Sequence, residues 1–189
     1  MTKIEMAKQF AHEAHDSIGQ KRKYTFEPYW VHTDEVAATV ATVTSDEDVI
    51  AAAHLHDVLE DVFPLDASFG PTKIRELFGE RVLAMVVELT DVYTKENYPK
   101  LNRKDRKALE RERVNSVSPE AKTVKLADLI SNTASIVSQD KDFARVYLRE
   151  KLALLPFLAD GDPNLLQRAS MQTVQAMNQL GMQITTIGR

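Results

Sequence analysis

The chain of 189 residues contains no cysteine. Disulfides and thiolate metal sites are therefore excluded, and any bound metal must be held by His, Asp or Glu. A reducing cytoplasmic location fits that absence. No apolar run reaches the length needed to cross a membrane, so no membrane association is expected. The N-terminal stretch from Met1 to Lys8 is interrupted by charged residues, and it reads as a helix start, not as a secretory leader. An excess of positive charge is also missing. The formal net charge is −4, which argues against a general nucleic-acid binder, although local basic clusters can still hold a small phosphorylated ligand. Sustained apolar–polar alternation over strand lengths is absent, as are internal repeats and low-complexity tracts. What remains is a chain of ordinary hydrophobic content, 43%, long enough for one domain with a full core. One all-α domain over residues 1–189 is expected.

Helix start and stop signals support that expectation. Thr2 and Glu5 form a capping box ahead of a helix ending near Gly19. The stretch from Ser45 to Asp48 opens a second helix, predicted to carry His56 and Asp57 onward through Glu60 and Asp61. Pro71 suits the first position of a helix that stops at Gly79, and Ser118 with Pro119 opens a helix running through Asp128 and Asn132. Asp162 and Pro163 open the last long helix, which ends near Gly181. Two stretches read as irregular loops, Gln20 to Pro28 and Thr94 to Asn102.

The stretch from Ala51 to Asp61 concentrates the chemistry. His56 and Glu60 are four residues apart, and so are Asp57 and Asp61. On a helix that spacing stacks each pair one turn apart on one face. Three carboxylates and an imidazole then crowd one patch, and carboxylates so placed repel each other unless a cation sits among them. The nearby His54 reads as structural or as touching the edge of the site. Further ligands must come from elsewhere. His32 lies near a helix start, and Asp128 lies on a largely apolar helix face, where an unpaired carboxylate would cost several kcal/mol. A metal would serve Asp128; so would Lys125, its helix neighbour at i, i+3. His32 taken alone reads as a core histidine bonded to a backbone carbonyl, and only within the set as a ligand; the alternative for Glu60 and Asp61 is solvated residues at a helix end. His12 and His15 share a helix face with no acid cluster beside them, and read as surface or packing residues.

Three segments together carry a resemblance. They are Arg22 through Glu27, Pro28 and Tyr29 to His32; His56-Asp57 through Glu60-Asp61; and Lys125 through Asp128 to Asn132. In order and rough spacing they resemble the HD-domain metal-dependent phosphohydrolases. Within these they resemble the hydrolase domain of Rel/SpoT proteins and the stand-alone Mesh-type hydrolases. The signature-bearing part runs from about residue 7 to about 136, and residues 142–181 resemble the C-terminal helices of the stand-alone bacterial members. The chain ends before a synthetase domain would begin. The resemblance implies a compact helical bundle with a metal site at its centre. It places the metal ligands on His32, His56, Asp57 and Asp128, and the acidic pair that assists the water on Glu60 and Asp61. Basic residues near the substrate fall on Arg22 and Lys23, and a polar residue after the last ligand falls on Asn132. Such enzymes remove the 3′-pyrophosphate of guanosine tetra- and pentaphosphate, usually with manganese, in the stringent response. The chain departs from the pattern at His54, where an apolar residue is usual. It also departs at Phe26, where many relatives have glycine, and at Ala134, where Rel/SpoT proteins often carry arginine.

Two imidazoles and two carboxylates suit manganese, iron or zinc. Such an ion activates water and neutralises charge at phosphorus, and Glu60, Asp61 or both are positioned to take the proton. Arg22 and Lys23 from the first loop, and Lys100, Arg103 and Lys104 from the second, are expected to neutralise and orient the substrate phosphates. The alternative for Arg22 and Lys23 is a solvated loop, and for the run from Lys100 to Arg113 an exposed mixed-charge face. Tyr29 is a candidate for stacking on a base. The expected activity is guanosine-3′,5′-bis(diphosphate) 3′-pyrophosphohydrolase. The alternatives are hydrolysis of another nucleotide, such as a nucleoside phosphate or the 2′-phosphate of NADPH, and a nucleotide-binding module without turnover. The expected partner is a small phosphorylated nucleotide, with a homo-oligomer left open.

Overall fold

A computed structural model describes residues 1–183; residues 184–189 of the unit expected over the whole chain lie outside the described residues. Nine α-helices occur among the described residues. They are α1 (Lys3–Ser17), α2 (Trp30–Val40), α3 (Glu47–Leu55), α4 (Pro71–Phe78), α5 (Glu80–Leu89), α6 (Arg103–Asn115), α7 (Pro119–Gln139), α8 (Lys141–Leu154) and α9 (Pro163–Gln179). The described residues contain no β-strand, only one isolated bridge between Lys21 and Pro28. The fold is all-α.

The caps act as the sequence signals require. Glu5 donates its backbone N–H to the Thr2 hydroxyl while the Glu5 carboxylate accepts from the Thr2 N–H, so two orphan donors of α1 are satisfied reciprocally. Asp46, Ser118 and Asp162 cap α3, α7 and α9 through side-chain oxygens. Gly79, at φ +91°, ends α4 and starts α5 in a backbone conformation that a side chain resists.

α3 is the central element. Ala51, Ala52, Ala53 and Leu55 are fully buried, and the small alanines let α1 and α2 pack closely on it. α2 also packs on α7, and α7 on α8 and α9. Most of the core is one apolar cluster spanning α1 to α7 and the start of α9. A second, smaller cluster joins the far end of α7 to α8 and α9 through Ile136, Leu148 and Met177.

One expectation is corrected here. The helix bearing His56 and Asp57 does not run on as an α-helix through Asp61. α3 ends at Leu55, His56 is its C-terminal cap, and Val58–Val62 forms a single π-helical turn. The Phe63 N–H donates to the Val58 carbonyl at 2.9 Å, five residues back, while the Asp61 N–H still donates to the Asp57 carbonyl at 2.9 Å. The widened turn re-aims the acidic pair without breaking the chain's course, a device concentrated at functional sites. The two loops read from the sequence are irregular as expected. In the first, Phe26 takes φ +60°. That left-handed conformation costs a side chain about 1 kcal/mol and suits glycine, the residue usual at this position in the relatives resembled.

Candidate metal centre

His32 sits in the first turn of α2, His56 at the end of α3 and Asp128 in the middle of α7. Because α2 packs on both α3 and α7, these side chains meet in the interior with Asp57. One donor atom from each of His32, His56 and Asp57 lies within 4.8 Å of the others. Asp128 Oδ1 joins them at 3.2 Å from His32 Nε2 and 4.0 Å from His56 Nε2. Asp57 Oδ2 is 3.1 Å from His56 Nε2 and 3.8 Å from His32 Nε2. Donors each about 2.1 Å from one ion stand about 3 Å apart when adjacent and about 4 Å when opposite. The observed separations span that range.

The orientation of the imidazoles is a sharper test. Nε2 of both His32 and His56 is buried and has no hydrogen-bond partner among the described residues, although a carboxylate oxygen lies close to each. The nitrogens are aimed past the carboxylates, not along a bond to them. Their other nitrogens are committed. His56 Nδ1 donates to the Ala53 carbonyl at 2.8 Å, since a carbonyl only accepts. His32 Nδ1 lies 3.0 Å from the Ser131 hydroxyl, which donates its proton to Glu35 at 2.7 Å and so accepts from His32. Both rings in their neutral form therefore present an Nε2 lone pair to one point, as metal-ligating histidines do. The donor set fits a divalent cation.

The surrounding charges are balanced locally. Burial opposes ionisation of Asp57 and Asp128. His56, His32 and Tyr29 together outweigh burial at Asp57, and Lys125, His32 and His56 together do so at Asp128, so both carboxyls stay well below the usual range. Burial likewise opposes a charge on His56, but Asp57 and Asp128 hold its imidazole above its ordinary value, at about 9. Lys125, the alternative partner of Asp128, lies 3.2 Å from Oδ2 and leaves Oδ1 facing the imidazoles. Asn132 donates to that Oδ1 from one helical turn on, at 2.5 Å. Tyr29, the candidate for stacking on a base, lines the cavity of Arg22 and is tied to the cage carboxylate. Its hydroxyl donates to Asp57 Oδ2 at 2.7 Å, and its ring lies against His15 and His32.

Glu60 and Asp61 leave the π-turn toward a cavity of about 760 Å³, shared with Asp91, Arg103 and Lys107. Burial, then Asp91 and Asp57, push the Glu60 carboxyl up to about 8, while Glu60 Oε2 accepts the Asp91 N–H at 2.9 Å. Burial and Asp57 raise Asp61 to about 6. Two smaller cavities flank Asn132. One, of about 310 Å³, is lined by Asp128, Lys125, Lys107 and Arg103; the other, of about 200 Å³, by Arg22, Lys23, Tyr29 and His32.

The structure sorts the expected basic residues. Arg22 is drawn in, with Nη1 2.9 Å from Glu35 and Nη2 3.3 Å from Ser135. Lys23 is exposed and lies over the Tyr24 and Phe143 rings, at the edge of the same cavity. Arg103 lines two cavities while paired bidentately with Glu150. Lys100 and Lys104 are corrections: both are exposed and line none of these three cavities. Helical spacing explains Lys104, which points away from the face that Arg103 and Lys107 share; Lys100 precedes α6. Lys107, 3.1 Å from Asp91, was missed by the sequence reading, as were Asp91, Glu35, Ser131 and Gln20. The i, i+4 spacing of Arg103 and Lys107 was the available signal for one of them. His12 pairs with Asp34 at 3.1 Å and stacks on Trp30, and His54 lies 3.3 Å from Asp34. Both are packing residues.

Comparison with known proteins agrees with this architecture. The guanosine-3′,5′-bis(diphosphate) 3′-pyrophosphohydrolase MESH1 of Drosophila melanogaster is 39% identical over 116 residues, covering 60% of this chain and 59% of that protein. A guanosine-3′,5′-bis(diphosphate) 3′-pyrophosphohydrolase of Aquifex aeolicus is 39% identical over 89 residues, 47% of this chain but 12% of that one. The chain thus spans less than two thirds of these relatives. The solved structure of a metazoan ortholog of SpoT that hydrolyzes ppGpp superposes with a TM-score of 0.78 at 27% identity, covering 97% of this chain and 98% of the other. A Listeria monocytogenes EGD-e protein shares the fold, at a TM-score of 0.59 and 20% identity over 84% of this chain and 98% of its own. The HD-domain family profile matches residues 7–160, and by that match, over most of its length, the chain belongs to the HD-domain family.

Proposed function

We propose that this protein is a metal-dependent phosphohydrolase that removes the 3′-pyrophosphate from guanosine 3′,5′-bis(diphosphate). One observation carries the reading most directly. Two buried, unpartnered Nε2 atoms aim between two carboxylates, beside an acidic pair whose proton affinities burial has raised. His32, His56, Asp57 and Asp128 would hold a divalent cation; their mixed nitrogen and oxygen set suits manganese, iron or zinc, and manganese is the choice that the family resemblance implies. Bound there, the cation lowers the pKa of water and neutralises charge at the attacked phosphorus.

The remaining work falls to this chain's own residues. Asp61, with the lower pKa of the pair, accepts the proton of the attacking water. Glu60 carries a proton near neutrality and can release it to the departing ribose 3′-oxygen as the P–O3′ bond breaks. Arg103 and Lys107 on one side, and Arg22 on the other, neutralise and orient the substrate phosphates. Asn132 stands between the two flanking cavities and fixes Asp128. Basic residues on both sides of Asn132 suit a nucleotide that carries phosphates at both ends.

The experiment is a product analysis under manganese with ppGpp, NADPH, GTP and deoxynucleotides. Release of pyrophosphate from ppGpp, abolished by Asp57→Ala, is expected. Turnover of NADPH with ppGpp untouched would replace this substrate assignment, and unchanged turnover in Asp57→Ala would remove the metal mechanism.

A further inference from the structure

We infer that Gln20 is a positioning residue for Asp61, anchoring one carboxylate oxygen so that the other is presented to the attacking water. This rests on the hydrolase reading above, in which Asp61 is the proton acceptor. Gly19, at φ +62°, lets the chain reverse, and the Gln20 N–H donates back to the His15 carbonyl at 3.0 Å. The Gln20 side chain then points inward and makes two bonds. Its Nε2 donates to Asp61 Oδ2 at 2.8 Å, and its Oε1 lies 2.6 Å from His15 Nδ1.

The orientation of that amide is fixed by chemistry. An ionised carboxylate only accepts, so Nε2 must face Asp61 and Oε1 must face His15. His15 must therefore carry its proton on Nδ1. Its Nε2 is fully buried and has no partner, which is tolerable for a lone pair and unfavourable for an N–H. Burial lowers the His15 pKa and keeps the ring neutral, as the chain of donors requires.

Gln20 also reaches the metal side of the site. Its carbonyl accepts the Tyr29 N–H at 3.1 Å, and the Tyr29 hydroxyl donates to Asp57. A single residue therefore ties α1, the entry to α2 and the π-turn together. It sets the position of the proton acceptor relative to the cage carboxylate. The π-turn alone does not fix the Asp61 side chain, because among the described residues only its Oδ2 has a protein donor.

The test compares wild type, Gln20→Met and Gln20→Glu. Pyrophosphate release from ppGpp, Mn2+ affinity by calorimetry, and the Asp61 carboxyl carbon shift against pH in metal-free protein are all measured. Gln20→Met is expected to lower kcat by about tenfold or more, with KM and Mn2+ affinity little changed. Without the amide donor the Asp61 carboxylate is less favoured. Its titration should move up by about half a pH unit or more, with the acidic limb of the rate profile. A kcat near wild type with an unmoved Asp61 titration overturns the proposal. So does a loss of kcat matched by an equal loss of Mn2+ affinity, which marks Gln20 as merely structural. If Gln20→Met does not fold, Gln20→Glu decides. Its rate relative to wild type should recover as the pH falls and the new carboxyl regains a proton to donate; a constant ratio overturns the proposal. An inactive wild type defeats the hydrolase reading, and the carbon titration then still judges the Gln20–Asp61 bond by itself.

Discussion

Around His32, His56, Asp57 and Asp128 the polar atoms are either bonded to a named partner or aimed at one common point. The basic residues of α6, by contrast, are spread over an exposed face, and two of them lie paired with acids, Arg103 with Glu150 and Lys107 with Asp91. The cage is interior, built from three helices whose mutual packing fixes its donors before any ligand arrives. The rim is a solvated helix face, where ion pairs are weak and exchange readily with phosphate. The difference separates two tasks. Fixed donors suit chemistry, where an error of a fraction of an ångström is costly. Exchangeable cations suit capture of a highly charged substrate.

That contrast can be broken or sharpened at particular residues. The largest effect after loss of a ligand is expected at Glu60. Glu60→Gln should keep Mn2+ binding but lower kcat by about 10²–10⁴; a normal rate would show the acid to be incidental. Next comes the second layer of the cage. Ser131→Ala removes the acceptor for His32 Nδ1–H and should weaken Mn2+ affinity about 10–100-fold by calorimetry, with Ser131→Thr restoring it. A smaller effect is expected on the rim. Lys107→Ala should raise KM for ppGpp by about tenfold with kcat little changed, while Lys104→Ala should leave both within about twofold. Equal effects would erase the distinction drawn between the two faces of α6.

The smallest effect on rate belongs to Lys151, which appears in stability instead. Its ammonium group is buried among the Leu129 carbonyl, the Thr133 hydroxyl and the Gln172 amide, and burial lowers its pKa to about 7. The unfolded chain, with an ordinary lysine, binds more protons between that value and about 10.5. Stability should therefore rise with pH across this window. Thermal unfolding against pH checks the slope, and Lys151→Met should flatten it.

Much of this was legible in the sequence, for physical reasons. Capping signals act locally, so Thr2, Ser118, Asp162 and Pro71 marked their helices correctly. Of the candidate cage residues, His56-Asp57 and Asp128 stand out in the sequence by themselves, Asp128 because it lies on an apolar face, whereas His32 is singled out only within the motif set that the family resemblance supplies. The π-turn was not, since one residue of altered hydrogen bonding leaves no compositional trace. The second layer was missed for a different reason. Gln20, Glu35 and Ser131 are ordinary polar residues whose roles exist only through partners far away in the chain, 96 residues in the case of Ser131 and Glu35. Lys104 was overestimated because a run of charge says nothing about which face a helix turns inward, and Lys100 because the same run does not show that it falls in the turn before α6.

The central claim is that four side chains from distant segments share one ion. Anomalous diffraction at the manganese edge from Mn2+-soaked crystals tests it most directly. A single peak bounded by His32 Nε2, His56 Nε2, Asp57 and Asp128 is predicted, absent in Asp57→Ala. A peak elsewhere, or an ion that leaves either imidazole unligated, would contradict it.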